Sequence, residues 1–127
     1  MKWYLIAWRR LAEFKGRSRR MEYWMFMLIH GIVFVTLEGA SLKLFSAHLT
    51  VIGNFLFALS FSYALLAALP GAAVSIRRLH DTGRSGWWML LAFVPVADLV
   101  LMAFFAFDSA PGDNQYGRNP KSPAPAI

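Results

Sequence analysis

The chain has no cysteine and few charged residues, and both absences exclude classes of function. Without a thiol, its 127 residues cannot form a disulfide, a thiolate nucleophile or a cysteine-based metal site. Charged residues make up 16% and hydrophobic residues 57% of the chain, whereas soluble domains carry about 25% charged and about 45–50% apolar residues. The composition therefore favours a membrane protein over a soluble domain.

The residues without charge are gathered in three apolar segments. The middle segment has no charged side chain from Leu49 to Ile76, and Asp98 is the only charge between Gly86 and Phe107. Apolar runs of about 18 residues or more predict membrane-spanning helices. We therefore predict a single all-α integral membrane domain, residues 1–127, with three transmembrane helices. The predicted spans are residues 21–42, 49–76 and 86–107.

The first 20 residues predict an amphipathic helix in the membrane interface, followed by a basic linker. At 100° per residue, the cations of residues 1–14 gather on one side and most of the aromatic rings on the other, a pattern typical of interfacial helices. Gly16 is expected to end this helix, and Ser18 to cap the first span. The alternative is an ordinary first helix that packs on the spans.

The distribution of cations predicts an orientation. Seven of the 13 Lys and Arg precede the first predicted span, and three lie between the second and third. Cationic loops stay in the cytoplasm, so we expect the N-terminus there and the polar tail, residues 108–127, in the periplasm. A turn back at residues 95–98 would return the tail to the cytoplasm, but each arm of about ten residues, roughly 15 Å, could not cross a core of about 30 Å.

Three motifs occur in order along the chain. They lie at residues 14–24 (FKGRSRRMEYW), 77–88 (RRLHDTGRSGWW) and 111–120 (PGDNQYGRNP). In the second motif, Gly83 is expected to end a helix and Ser85 to cap the next one, which makes the motif a hairpin turn. The third motif consists of turn-forming residues. In these motifs the chain resembles the bacterial inner-membrane proteins of the domain of unknown function 805 family, the YhaH-like and YhaI-like proteins. The resemblance implies a location in the bacterial inner membrane and supplies no activity. Asp98 stands where the family often has glycine, so no role for it is implied.

Cations and polar residues of the first two motifs form the candidate site. One interpretation makes the arginines topology anchors with internal ion pairs, such as Arg77 with Asp81 one helical turn away. A second makes them a binding site for anionic lipid headgroups. A third uses His80 as a general base with Asp81 or Glu22 as its partner. The predicted anion-binding residues are Arg17, Arg19, Arg20, Arg77, Arg78 and Arg84, and the polar cluster is Glu22, His80 and Asp81.

Ionisable residues within the spans form a second candidate site. His30, Glu38 and Asp98 are predicted to be buried ionisable residues that face protein or water, because a charge at the centre of a membrane helix is costly. An ion path through them would make the chain an oligomeric transporter or channel subunit. The three histidines, His30, His48 and His80, fall at different depths, so we expect no metal site and no cofactor.

These observations favour a small, non-catalytic inner-membrane protein that uses its cytoplasmic arginines for binding. The expected ligands are anionic lipid headgroups of the bilayer or a membrane-protein partner, which includes a second copy of the chain. Binding to nucleic acid is not expected, because the basic residues lie beside spans rather than on a soluble face.

Overall fold

The computed structural model describes residues 2–122, and this part of the chain is helical without a β-strand. Four α-helices and one 3₁₀ helix follow one another. The elements are α1 (Lys2–Arg9), α2 (Arg20–Ser46), α3 (Thr50–Asp81), the 3₁₀ helix (Gly86–Phe93) and α4 (Asp98–Ala106).

Two of the helices, α2 and α3, are long and apolar enough to cross a membrane. Their 27 and 32 residues correspond to about 40 and 48 Å, more than a hydrocarbon core of about 30 Å. A short turn at residues 47–49, with His48 at φ 61°, joins them. The first two predicted spans are therefore found as helices, and each continues a few residues beyond its predicted end.

Buried residues at every seventh position, three of them small, bring α3 against α2. Buried residues recur at this spacing along α3, namely Gly53, Ser60, Ala67 and Val74. Small side chains let two helices approach closely in lipid. The Ser41 hydroxyl of α2 donates to the Gly53 carbonyl at 3.0 Å. Ala58, Ser62 and Ala68 of α3 are exposed, so small residues pack on α2 along only part of the surface of α3.

The predicted third span, residues 86–107, is wrong as one continuous helix. It forms two short helical arms, the 3₁₀ helix and α4, separated by a break at residues 94–97. Pro95 lacks an N–H donor, and Val96 has a positive φ of 71°. The arms pack on each other, since the Trp88 and Phe104 rings meet edge to face at 5.4 Å. A nine-residue α4 spans about 14 Å.

After α4 the chain returns to the C-terminal end of α3. The Ala110 N–H donates to the Asp81 carbonyl at 2.8 Å. The tail therefore lies at the same end of the α2–α3 pair as the second motif. This differs from the predicted arrangement, in which a third span separates the two. The reason is the break at Pro95, which turns the segment back.

The N-terminal helix is shorter than predicted and packs on the long helices. It ends at Arg9, its Ala7 is fully buried, and the Tyr4 ring stacks on Phe26 of α2 at 5.7 Å. These contacts fit the packed alternative. Gly16 does adopt the left-handed conformation, at φ 86°, but it lies in the linker, well beyond the helix end.

The ends of the predicted hairpin follow their local chemistry. Gly83, at φ 78°, follows the end of α3, and the Ser85 hydroxyl accepts from the Trp87 N–H at 3.4 Å to cap the 3₁₀ helix. Both predictions at this turn are confirmed. Ser18 does not cap α2, because its hydroxyl accepts from Arg77 instead.

Gly53 provides a test of the close approach near the α2–α3 turn. A Cβ at Gly53 would lie 2.8 Å from two carbons of the Phe45 ring, whereas a Cβ at Gly39 of α2 would meet nothing within 4 Å. We expect Gly53→Ala to lower the free energy of unfolding by about 1–3 kcal/mol through overpacking. Gly39→Ala should be neutral or stabilising by up to about 1 kcal/mol. Equal thermal unfolding of both variants in detergent would contradict this packing.

Candidate functional site

Three arginines are buried at the end of α3 where all three motifs meet. Arg17, Arg77 and Arg78 are 6%, 0% and 0% exposed. Arginine is almost never fully buried unless it is paired. We call these three arginines, together with Glu22 and Asp81, the arginine cluster.

Arg77 ties α3 to the linker before α2. Its Nε donates to the Ser18 hydroxyl at 2.9 Å, and its Nη2 donates to Glu22 Oε1 at 2.8 Å. Its Nη1 donates to two backbone carbonyls, at 3.0 Å to Arg10 and 2.5 Å to Glu13. One side chain thus holds α1, the linker and the first turn of α2 against α3.

Arg17 ties the linker to the tail. Its Nε donates to Asp81 Oδ1 at 2.9 Å. Its Nη1 donates to the Gly112 carbonyl and its Nη2 to the Ala110 carbonyl, both at 2.8 Å. The first motif therefore binds the third motif through backbone oxygens, which no sequence pattern identifies as partners.

Arg78 ties α3 to the end of α4. Its Nη1 pairs with the Asp81 carboxylate, and its remaining donors reach the Phe105 carbonyl at 3.2 Å and the Phe107 carbonyl. The last carbonyls of a helix have no partner within the helix, so Arg78 satisfies them. Ser109 Oγ also donates to Asp81 Oδ2, at 2.6 Å.

The ion pairs differ from those expected. Arg77 pairs with Glu22 of α2, and Asp81 pairs with Arg17 and Arg78. The predicted Arg77–Asp81 pair, one turn apart on the same helix, does not form. The cluster has three arginines and two carboxylates, and backbone carbonyls accept hydrogen bonds from the remaining guanidinium N–H groups. Arg17, Arg77 and Arg78 therefore direct their donors into the protein.

The other three predicted arginines lie nearer the surface. Arg19 is half-buried and donates to the Pro120 carbonyl, while exposed Arg20 donates to Ala106 at 3.3 Å. The Arg84 guanidinium lies 3.9 Å from the centre of the Phe104 ring, a cation–π contact. All six arginines lie at one end of the long helices, and only Arg17, Arg77 and Arg78 are buried.

His80 is held by the backbone and by an aromatic ring. Its Nδ1 lies 3.3 Å from the Gly16 carbonyl, and its ring stacks on Tyr116 at 3.8 Å and 3°. Asp81 and Glu22 are occupied by arginines. The hydrogen bonds therefore do not join His80 to either carboxylate, and the proposed acid–base pair is not formed.

The third motif folds as a turn whose own side chains hold it. The Asn114 amide donates to the His80 carbonyl at 2.9 Å, and its oxygen accepts from the Tyr116 N–H. Asp113 accepts from the Asn119 N–H at 3.0 Å. Sequence reasoning assigned these residues only turn chemistry and missed their contact with α3.

Ionisable residues in the apolar segments do not converge. His30 lies between the Phe26 and Tyr63 rings, and its buried Nδ1 has no partner among the described residues. Glu38 contacts the Ser60 hydroxyl. Asp98 is exposed at the first position of α4, so its predicted burial is wrong. The break at Pro95 places Asp98 at the tip of the two short arms. The hypothesis of an ion path required Asp98 to be buried, and the structure does not support that part of it.

Comparison with known proteins shows the family. Residues 11–118 match the family described as "Protein of unknown function (DUF805)", a range that includes nearly all of the three motifs that build the arginine cluster. The chain belongs to the DUF805 family. No solved structure matches the chain.

Several Escherichia coli K12 relatives match the DUF805 chain over most of its length. Inner membrane protein YhaI is 46% identical over 95% of this chain and 97% of its own. Inner membrane protein YhaH is 38% identical over 95% and 98%. A protein named "Uncharacterized protein YiiR" is 35% identical over 86% of each chain. The resemblance inferred from the motifs is confirmed, and the names of YhaI and YhaH describe membrane proteins, in agreement with the two long apolar helices of this chain.

The Arg77–Glu22 pair allows a test of how the cluster contributes to stability. Removing one partner leaves a buried charge unpaired, so we expect Arg77→Met or Glu22→Met to lower the free energy of unfolding by about 3–5 kcal/mol each. The double variant should lose clearly less than the sum. Exposed Arg118→Gln should change it by about 0.5 kcal/mol or less. Thermal unfolding in detergent measures all four, and additive losses would contradict a direct pair.

Proposed function

We propose that the chain crosses the inner membrane twice and adds a re-entrant hairpin, with all three motifs at the cytoplasmic face. In this topology α2 and α3 span the bilayer, and the two short arms enter and leave from one side. The return of the tail to Asp81 supports this arrangement. Every Lys and Arg except Lys43 then lies on one side, a stronger bias than three spans would give and in the direction of the positive-inside rule.

Single cysteines test the proposed topology directly, because the chain has none of its own. In intact cells, Ser122→Cys should be protected from a membrane-impermeant maleimide, and Ser46→Cys at the other end of α2 should be labelled. Both positions are exposed, so access is decided by the membrane. Labelling of Ser122→Cys from outside, with cell lysis as the control for reactivity, would establish a third crossing instead.

The proposed function is non-catalytic binding of anionic lipid by the cytoplasmic surface of the chain. The arginine cluster holds the linker, the start of the tail and the ends of α3 and α4 together at one end of the long helices. The exposed cations around this cluster contact the lipid headgroups. The observation that carries the proposal is that Arg9, Lys15 and Arg20 are exposed and form no ion pair within residues 2–122. Each basic residue near an anionic surface adds about 1 kcal/mol of attraction.

The lipid contacts lie at the exposed cations and not at the buried arginines that the sequence analysis included in the anion site. Arg77 and Arg78 have no exposed surface, and their donors already bind protein oxygens. A phosphate would have to displace these hydrogen bonds, whereas the exposed cations need only exchange water. Lipid binding thus depends on the cluster for shape and on the surface cations for charge.

Replacing the surface cations should weaken retention of anionic lipid. We expect the triple variant Arg9→Gln, Lys15→Gln, Arg20→Gln to lose up to about 3 kcal/mol of attraction, and to keep fewer phosphatidylglycerol molecules in native mass spectrometry. Lys43→Gln, an exposed cation at the opposite end of α2, is the matched control. Equal retention by the two variants would refute binding through this surface, and phosphatidylcholine retention should stay unchanged in both.

A further inference from the structure

A cavity of about 450 Å³ lies beside His80. Ligand pockets in proteins measure about 300–1,000 Å³, so its size suits part of a small amphiphile. Trp87 and Leu90 on its 3₁₀-helix side are 78% and 55% exposed, so the cavity is open there. Its lining residues include Ile76, His80, Ser85, Trp87, Leu90 and Tyr116.

The cavity has one well-defined polar wall, the His80 ring. A carbonyl oxygen can only accept, so the 3.3 Å contact with the Gly16 carbonyl assigns the hydrogen to Nδ1. In the neutral ring Nε2 then carries a lone pair. Nε2 points toward Gly86, where a Cβ would lie 3.4 Å from it, and Gly86 also lines the cavity.

The ring is held in this orientation and its lone pair is free. Tyr116 stacks on one face, and the Asn114 amide fixes the backbone of His80. Within residues 2–122 the hydrogen bonds give Nε2 no protein partner. The Ser85 hydroxyl accepts from the Trp87 N–H, which leaves its own O–H able to donate into the cavity. The polar end thus offers one acceptor beside one donor.

The position of the cavity identifies its occupant. It adjoins the end of α3 beside the arginine cluster, which the proposed topology puts at the membrane surface. Exposed Trp87 lines the cavity, and aromatic rings of this kind prefer the headgroup level of a bilayer. A bilayer lipid can reach the opening without leaving the membrane.

We propose that the cavity binds a glycerolipid whose headgroup carries an ammonium N–H donor. The donor binds His80 Nε2, the Ser85 hydroxyl donates to a phosphate or ester oxygen, and the upper acyl chain lies on Trp87 and Leu90. This proposal rests on the proposed topology, and it names the ligand class of a site separate from the cationic surface.

Two zwitterionic lipids that differ in their N–H groups test the proposal. Phosphatidylethanolamine can donate from its ammonium, and phosphatidylcholine cannot. From an equimolar mixture, the parent protein should retain the ethanolamine lipid about tenfold better by native mass spectrometry, the factor expected of one hydrogen bond from a charged donor. His80→Phe keeps an aromatic ring against Tyr116 but lacks Nε2, so it should retain the two lipids equally.

A variant that fills the opening provides a second test. Leu90→Trp enlarges an exposed side chain at the cavity and should lower retention of the ethanolamine lipid about fivefold or more. Leu99→Trp on α4, at a position 61% exposed and away from the cavity lining, is the control and should retain it fully. This comparison decides the matter if His80→Phe fails to fold, as judged by its thermal unfolding.

Three results would overturn the proposal: equal retention of both lipids by the parent, an unchanged preference in folded His80→Phe, or equal loss in Leu90→Trp and Leu99→Trp. The lipids carry the same net charge, so the triple variant of Arg9, Lys15 and Arg20 should keep the preference. If the cavity does not bind the ethanolamine lipid, the phosphatidylglycerol experiment still tests the cationic surface. If the cationic surface does not bind phosphatidylglycerol, the preference for phosphatidylethanolamine over phosphatidylcholine can still be measured.

Discussion

One carboxylate, that of Asp81, joins the linker, α3 and the start of the tail, and the arrangement of these segments depends on it. It accepts from Arg17 of the linker, from Arg78 of its own helix and from Ser109 at the start of the tail. Its backbone carbonyl also accepts from the Ala110 N–H. Without this acceptor, two buried guanidiniums would keep only carbonyl partners, and the linker, α3 and the tail would lose their common contact.

Arginine suits such a junction because of its shape. Its planar group has five donors in a fixed fork, and each buried arginine uses that fork to reach separate segments, as Arg17 does with Asp81, Ala110 and Gly112. Buried ion pairs seldom add net stability, because desolvation offsets much of the attraction. We infer that these residues are present mainly to fix one arrangement of the three segments, which also sets the position of His80.

Local chemistry predicted the long helices and the turn between α3 and the 3₁₀ helix. Apolar length gave α2 and α3, and Gly83 and Ser85 marked the turn. The pairings were not predictable, because adjacent residues of a helix differ by 100° in direction. Arg77 therefore faces Glu22 whereas Arg78 faces Asp81, and which of them meets which carboxylate depends on how α2 packs. The contact of Arg17 with Gly112, 95 residues away, has no counterpart in the sequence pattern.

The break between the two arms explains why an acidic residue stands in an apolar segment. Turns supply partners for several backbone groups at this break, since the N–H groups of Ala97, Leu99 and Val100 donate to carbonyls three residues earlier. Asp98 then begins α4, where a negative charge interacts favourably with the positive end of the helix dipole. The carboxylate at the tip thus occupies a position in which the start of a helix favours a negative charge. Pro95 in the middle of an apolar run of ordinary length was the signal in the sequence for this turn.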